Sequence, residues 1–517
     1  MRKCILVIWL IVGIGNLVFA GSNFPEDPCL SCENLKSMNL PEMQIHKALS
    51  YSSDTIPSPE PWIPTIIINV PFCKVYGTVG TEINFELLMP HDWNGRFLMA
   101  GGGGFAGSIQ NDLYDYVNQG FAIVGTDTGH KGDVWDAEWA LDNMERQLNF
   151  GRMAVHRTAV VSKFVLNDFY CKAPDYSYFI GCSRGGGQAL VEAQYFPEDF
   201  DGIVAGAPAY SWPALGAKCI QLSQSNYPDP EDMSNPVITA ANLILLQDQV
   251  FKQCDALDGV ADRILNDPRA CKFDFSKLPK CNSEEGDPSC FTKAQLAAIQ
   301  TVYNPLMVNN EMIYPGYPFG LEAEESAWDL WISGTNPFLE KDPSFLFLFG
   351  TSLFKYLIFQ DPEWQYHTYD FKNFFEETRY ASSYLDATAA DYSGFKESGG
   401  KMIMYHGWND AAISAFSTIQ HYEKALEKNN DLNDNVRLFL LPGVLHCGGG
   451  TGPDRIDWVR EIMTWVEEEK APEKLVLAKM VDGEKVMERP VFPYPQLSIY
   501  DGKGDSNKEE SFKSSLK

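Results

Sequence analysis

Between residues 96 and 207, short apolar runs of strand length alternate with stretches of helical spacing. Residues 96–100 (RFLMA) read as a strand that ends in four glycines at 101–104, residues 111–118 as a helix, and residues 121–126 (FAIVGT) as a second strand. Apolar positions then recur at helical intervals over 152–169, followed by a strand at 176–180 (YSYFI), a helix at 188–195 and a strand at 202–205 (GIVA). Near-continuous apolar strands separated by helices predict a mostly parallel, doubly wound sheet covered on both faces, the α/β class. The same texture returns late, with strands at 401–405 (KMIMY) and 436–441 (VRLFLL), helices near 414–428 and 454–469, and no internal repeat.

The chain between these two blocks has another character. Residues 210–399 hold four cysteines between Cys254 and Cys290, many prolines, and an aromatic-rich run through Trp328, Trp331, Phe345, Phe347 and Phe349. We read this as a large insertion interrupting one α/β domain, with most aromatics in its core and a few lining a pocket for a flat substrate. The expected organisation is a leader at 1–20, the first part of the α/β domain at 21–209, the inserted domain at 210–399, the second part at 400–501, and a polar, loose tail at 502–517.

The leader has the layout of a secretory signal peptide: Arg2 and Lys3, an apolar stretch over 4–19, and a small residue at Ala20. The stretch falls short of the ~20 residues a bilayer span needs, and no later segment is long and apolar enough, so no membrane partner is expected. Export would place the chain where thiols oxidise. Cys4 leaves with the leader, and eleven of the twelve cysteines remain, so at least one has no intramolecular partner. The formal charge of −28 falls to −30 once Arg2 and Lys3 are removed, a balance that excludes nucleic acid as a partner.

Candidate chemistry begins at residues 181–187, GCSRGGG, where Ser183 sits between a predicted strand and a predicted helix. A G-x-S-x-G turn in that context forces the backbone round sharply and exposes the hydroxyl as a nucleophile. Such a serine needs a base and an orienting carboxylate, which in α/β hydrolases follow in the order acid, then histidine, each in the loop after a later strand. Of eight histidines only His406, His421 and His446 follow the insertion. His446 follows the strand at 436–441, and Asp410 follows the strand at 401–405, which makes them the base and the acid. His406 is read as a structural or pocket-wall histidine, and His421 as a solvated residue on a helix face. Cys182 abuts Ser183 and Cys447 abuts His446; a bond between them would hold their Cα atoms about 4.4–6.8 Å apart and bring serine and histidine within reach of each other. The tetrahedral oxyanion needs backbone donors, here the N–H of Arg184 and one from the glycine loop, assigned to Gly103.

The loop offers a rival reading as well. Gly102-x-Gly104-x-x-Gly107 between a strand and a helix, with Asp127 after the next strand, has the form of a dinucleotide-binding fingerprint. It leaves Ser183, Asp410, His446 and the cysteine pair without a task, and an exported enzyme meets little nicotinamide cofactor; no organic cofactor is therefore expected. In the insertion, Asp255, Asp258 and Asp262 flank a glycine turn at Gly259. That spacing suits a hard cation or a plain solvated loop, and spacing alone does not choose.

Taken together, GGGGFAG at 101, DTGH at 127–130, GCSRGGGQAL at 181, FPEDFDGIVAGAPA at 196, DALDGVAD at 255, FKYLIFQDPEW at 354, GWND at 407 and HC at 446 resemble the tannase and feruloyl esterase family over nearly the whole mature chain. The resemblance implies an α/β-hydrolase fold in which the insertion is a lid. It implies Ser183 as nucleophile, His446 as base, Asp410 as orienter, and a Cys182–Cys447 disulfide. It implies a Ca2+ in the lid held by the side chains of Asp255, Asp258 and Asp262 and the carbonyls of Val260 and Ile264, with disulfides Cys254–Cys271 and Cys281–Cys290. A bond from Cys73 to Cys29 or Cys32 is compatible with the family. Phe492 stands where relatives often carry a cysteine, which leaves Cys171 or Cys219 free. The implied activity is secreted carboxylic ester hydrolysis through an acyl-enzyme, on a small-molecule or polysaccharide-linked aromatic ester. Ferulate-type hydroxycinnamates attached to plant cell-wall sugars come first, with gallate esters and terephthalate monoesters as alternatives.

Overall fold

The structure, a computed structural model, describes residues 29–56, 65–283, 285, 287–340 and 342–515, so the expected signal peptide lies outside the described residues. Nine strands form one sheet: β1 (Met43–Tyr51), β2 (Phe72–Val79), β3 (Ile83–Pro90), β4 (Arg96–Ala100), β5 (Ala122–Thr126), β6 (Tyr176–Cys182), β7 (Gly202–Gly206), β8 (Lys401–Gly407) and β9 (Val436–Leu441). Their spatial order is β1-β2-β3-β5-β4-β6-β7-β8-β9. The first three strands and the β3/β5 pair are antiparallel, and every pair from β5 to β9 is parallel.

Alternate side chains along a strand face opposite ways, and here both faces are dry. Phe97 and Met99 join one core while Leu98 joins the other; Ala122 and Val124 are likewise separated from Ile123. Each fully buried Leu, Ile or Phe contributes about 1.5–3 kcal/mol over its exposed state, so the continuous apolar runs stabilise the centre of the sheet. The helices Ala154–Tyr170 and Arg184–Tyr195 pack into the first core, and Trp458–Glu468 into the second.

The insertion leaves after β7 and returns as β8, and these two strands are immediate parallel neighbours, with Gly202 opposite Lys401. The sheet is thus complete without the inserted residues, which is why the chain tolerates so large an excursion there. The insertion builds its own cores from helices such as Trp212–Asn226, Ala240–Cys254 and Phe345–Ser352, and these cores also take in Ala412, Ile413 and Leu445 from the loops after β8 and β9. The lid is therefore packed onto the ends of the strands that carry the candidate acid and base.

Three expectations change. The region read as a helix at 111–118 is a short 3-10 turn, Tyr114–Gln119. The tail is in part ordered: Phe512–Ser514 pairs with Ser498–Tyr500, with Phe512 against Tyr500 and beneath the Arg489 guanidinium. Its lysine- and serine-rich composition hides that one aromatic anchor. His421 is buried rather than solvated; its Nε2 pairs with the Tyr392 hydroxyl at 2.7 Å, and burial pushes its proton affinity down to about 3.

The disulfides are Cys29–Cys171, Cys32–Cys73, Cys182–Cys447, Cys254–Cys271 and Cys281–Cys290, and Cys219 is free and buried. Among the described residues no helix is long and apolar enough to cross a membrane.

Candidate active site

Ser183 stands where β6 turns into the helix Arg184–Tyr195, at φ 61° and ψ −120°. A left-handed backbone at a non-glycine residue costs of order 1–3 kcal/mol and persists only where the surroundings impose it. They do so through close packing. A Cβ added at Gly181 would lie 2.6 Å from Gly185 Cα, one at Gly186 would lie 2.1 Å from the Gly206 carbonyl oxygen, and Ser183 N–H donates to that same oxygen at 3.0 Å. The small residues of GCSRGGG therefore let β6, β7 and the helix approach closely enough to hold the turn.

Asp410, in the loop after β8, is buried and fully satisfied. Its Oδ1 accepts the N–H groups of Ala412 at 2.8 Å and Ile413 at 2.9 Å. Its Oδ2 faces His446 Nδ1 at 2.7 Å and His406 Nε2 at 3.1 Å. Burial alone would raise its proton affinity, but the imidazoles of His446 and His406 outweigh it and hold the carboxyl well below the usual range. With Nδ1 spent on Asp410, His446 keeps Nε2 for a substrate or a nucleophile. Its ring is held edge to face by Trp331, with centroids 4.9 Å apart.

The Cys182–Cys447 bond, with Cα atoms 5.9 Å apart, joins the residue before Ser183 to the residue after His446. Ser183 Oγ makes no hydrogen bond to His446 in this structure. Catalytic hydrogen bonds of this kind commonly tighten only when substrate is bound.

Arg184 occupies the first helical position, so its backbone N–H has no partner within the helix and is available to an oxyanion. Gly103 corrects our expectation: its N–H is taken by Gln110 Oε1, while Gly102 N–H is held by Gln188 Oε1 at 2.9 Å. The next residue, Gly104, lines the cavity beside Ser183 and Arg184. The dinucleotide reading fails for the same local reasons, since Asp127 is buried and accepts from the backbone and side-chain amides of Asn84 and from Gly129 N–H, which leaves nothing for a ribose.

The cavity over Ser183 is walled by lid residues, among them Trp212, Leu215, Trp331, Phe349 and Leu353, and by Ile413. Arg184 is its one charged neighbour. The guanidinium is buried, stands over the rings of Phe150 and Trp212 at 4.3 and 5.6 Å, and donates to the Phe150 carbonyl. Burial pushes its proton affinity down to about 9, which still leaves a cation at neutral pH.

The lid loop after helix Ala240–Cys254 carries the three expected carboxylates, whose oxygens do not all come within 4.8 Å of one another. Asp255 accepts Arg263 N–H at 2.8 Å, Asp258 accepts Val260 N–H at 3.1 Å and Asn266 N–H at 3.0 Å, and Asp262 accepts Ile264 N–H at 3.1 Å. Gly259, at φ 93°, makes the turn between them. Burial, and the charge of Asp262 nearby, raise the proton affinities of Asp255 and Asp258 even against those N–H donors. The Arg489 guanidinium already pairs with Asp262. Sequence reasoning missed Arg489, which arrives from a hairpin more than two hundred residues later.

It also missed Gln110 and Gln188 as partners of the site, and a cluster of His156, Glu192 and Asp199 whose ligand atoms lie within 4.8 Å of one another; His406, read as a structural histidine, is buried and bonded to Asp410. His156 and Glu192 stand on two different helices, Ala154–Tyr170 and Arg184–Tyr195, so their approach is tertiary and leaves no local signal in the sequence.

A strained serine at a strand-to-helix turn, an acid–histidine pair after the next strands and free donors at a helix start define a carboxylic ester hydrolase on the α/β-hydrolase plan. Residues 67–515 match the family described as tannase and feruloyl esterase, and the chain belongs to it. It is 31% identical over 508 residues to the mono(2-hydroxyethyl) terephthalate hydrolase of Piscinibacter sakaiensis, covering 85% of this chain and 84% of that one. It is 30% identical over 472 residues to feruloyl esterase B of Aspergillus niger, covering 84% and 85%. The crystal structure of feruloyl esterase B from Aspergillus oryzae superposes with a TM-score of 0.83 at 26% identity, over 93% of this chain and 99% of that one. The tannin acyl hydrolase of Aspergillus niger shares the fold, with a TM-score of 0.74 at 20% identity, over 95% of each chain.

Proposed function

We propose that the protein hydrolyses esters of aromatic carboxylic acids through an acyl-enzyme on Ser183. His446 Nε2 takes the Ser183 proton as Oγ attacks the ester carbonyl, and Asp410 holds the imidazole with Nδ1–H facing its carboxylate. The oxyanion is received by Arg184 N–H, with a second donor from the glycine loop at Gly104, which lines the cavity. His446 then hands the proton to the leaving alcohol, and a water activated by the same nitrogen releases the acid. The observation that carries this reading is the tether: the nucleophile's neighbour is bonded to the base's neighbour while the base is bonded to Asp410 at 2.7 Å.

The walls of the cavity bear on the acid. Apart from the Arg184 guanidinium, a ring hydroxyl entering it finds aromatic and aliphatic carbon, and an unpartnered buried hydroxyl costs about 1–3 kcal/mol. A ferulate-type acyl group, with one hydroxyl and one methoxyl, therefore ranks above a gallate with three hydroxyls. The test is a panel of methyl ferulate, methyl gallate, a benzoate ester and a terephthalate monoester, assayed beside Ser183→Ala. Turnover surviving in the variant overturns the mechanism, and methyl gallate outpacing methyl ferulate overturns the ranking.

We further propose that the loop of Asp255, Asp258 and Asp262, with the Val260 and Ile264 carbonyls, holds calcium. When bound it supplies a structural cross-link and no bond-making chemistry. Three carboxylates in one loop around the Gly259 turn, and the Cys254–Cys271 bond that closes the loop, support this. Five disulfides fit the oxidising compartment of a secreted protein, which we propose as its destination.

A further inference from the structure

Two cavities meet at the candidate catalytic centre, and they differ in chemistry. The first contains Ser183, Arg184 and Gly104 under the lid aromatics. The second, a cavity of about 480 Å³, is lined by His446, Trp331, the glycines 448–450, and Glu324 and Glu325. Trp331 is the wall between them, since it lines both and touches the His446 ring.

The direction of the reaction assigns the two. In the tetrahedral intermediate the leaving oxygen must face the nitrogen that protonates it, which is His446 Nε2, while the oxyanion faces Arg184 N–H. The acyl group therefore occupies the cavity on the Arg184 side, and the alcohol projects past His446 into the second cavity. Glu325 is exposed there, and Glu324 is half-buried with one oxygen accepting the Thr451 hydroxyl at 3.3 Å. Lys479, beside the glycine loop, is committed to Asp454 and the Gly450 carbonyl.

We propose that this second cavity is a leaving-group subsite for an uncharged polyhydroxy alcohol, in which Glu324 and Glu325 select against alcohols that carry a carboxylate. The inference rests on the esterase reading above and adds the selectivity of its other half. Carboxylates accept alcohol O–H groups in strong, charge-assisted hydrogen bonds, and the Trp331 face takes the C–H side of a polyol. The same two carboxylates repel an anion. Like charges about 4 Å apart in a water-filled mouth alter a rate by about fivefold each, and salt weakens the effect.

The experiment compares three esters of one aromatic acid, chosen from the panel as an acid that is turned over: the glycerol ester, the glycolamide ester, and the glycolate ester, which matches the glycolamide in shape and adds a charge. We expect kcat/KM for glycolate at least fivefold below that for glycolamide in the wild type. We expect the gap to close by threefold or more in Glu324→Gln/Glu325→Gln, and also in the wild type as salt rises from 0.02 to 0.5 M. Equal rates for the two esters at low salt overturn the proposal, as does a gap that neither the substitutions nor salt reduce. The salt series keeps the question decidable if the double variant folds poorly. If no aromatic ester is hydrolysed at all, it is the esterase reading that falls.

Discussion

His406 and Asp410 lie four residues apart and meet in the core, with His406 Nε2 3.1 Å from the Asp410 Oδ2 that also faces His446 Nδ1. The same nitrogen is 2.9 Å from the Ile413 carbonyl, and both neighbours are acceptors, so Nε2 carries the hydrogen. Nδ1 then accepts from the Thr418 hydroxyl at 2.8 Å. His406 thus ties β8, the acid loop and the following helix to one carboxylate oxygen, and fixes the direction from which His446 can approach it.

A positioning role predicts a split in the kinetics. His406→Phe removes the donor, which leaves the Ile413 carbonyl without it and Asp410 Oδ2 with His446 alone; His406→Gln restores a donor of similar reach. We expect kcat for the Phe variant to fall on the order of 10- to 100-fold with KM changed less than about threefold, and the Gln variant to recover most of it. Equal losses in both variants, tracking their loss of Tm, would leave His406 a packing residue only.

The Cys182–Cys447 bond closes 265 residues of chain, and its loss removes both a constraint on the unfolded state and the link between nucleophile and base. Stability should fall by about 2–5 kcal/mol, the usual cost of losing such a bond. The informative measurement is kcat of Cys182→Ala/Cys447→Ala at a temperature where circular dichroism shows both proteins folded. We expect a drop of at least about tenfold there, because triad geometry tolerates little slack. A folded double variant with wild-type kcat reduces the bond to a stability device.

Much of this site is local in sequence and so was legible. The strand–GCSRGGG–helix unit predicts the turn at Ser183, because its requirement is small residues at fixed offsets. Asp410 and His446 follow from chain order and strand ends. What failed depends on approach by distant segments. His421 looks solvated on its own helix and is buried by Tyr392, which lies on another element; Gly103 looks free in its loop and is capped by Gln110. The Cys29–Cys171 and Cys32–Cys73 pairings were ambiguous because Cys29 and Cys32 are three residues apart, and only the placement of β2 and of the helix ending at Tyr170 separates them.

Asp386 gives a pH prediction with a definite sign. It is half-buried at the base of the lid, where its Oδ1 accepts Trp212 N–H at 2.8 Å, and burial of the carboxyl pushes its proton affinity up to about 7 against the Trp212 and Ser382 donors and Arg152. The folded state therefore binds a proton that the unfolded chain, with an ordinary carboxyl near 4, has released. Between those two values the folded state holds more protons, so this contribution to stability declines as pH rises from about 4 to 7 and is gone above it. Glu192, raised by burial and by Asp199, acts in the same direction. Asp386→Asn keeps the acceptor for Trp212 and carries no charge. Its Tm should exceed that of the wild type at pH 8 and draw level near pH 4; a difference that does not change with pH refutes the assignment.

Calcium in the lid loop is tested by its competition with Arg489. The guanidinium pairs with Asp262, and Arg489 is buried with its Nε unpartnered, so it is a poorly satisfied cation beside a carboxylate that the metal would also use. Chelator should lower the Tm of the wild type by a few degrees, since a ligand at 100 times its Kd adds about 2.7 kcal/mol and about 1 kcal/mol moves a large domain by 2–4 °C. Asp258→Asn, which keeps the shape of the loop but removes a ligand charge, should lose most of that chelator response. Arg489→Gln separates the two cations: it frees Asp262 for the metal, so the Tm gap between calcium and chelator should widen. Metal analysis after calcium-replete purification then gives about one ion per chain in the wild type and in Arg489→Gln. A chelator that leaves Tm unmoved in all three proteins would instead make Arg489 the resident counter-charge of this loop.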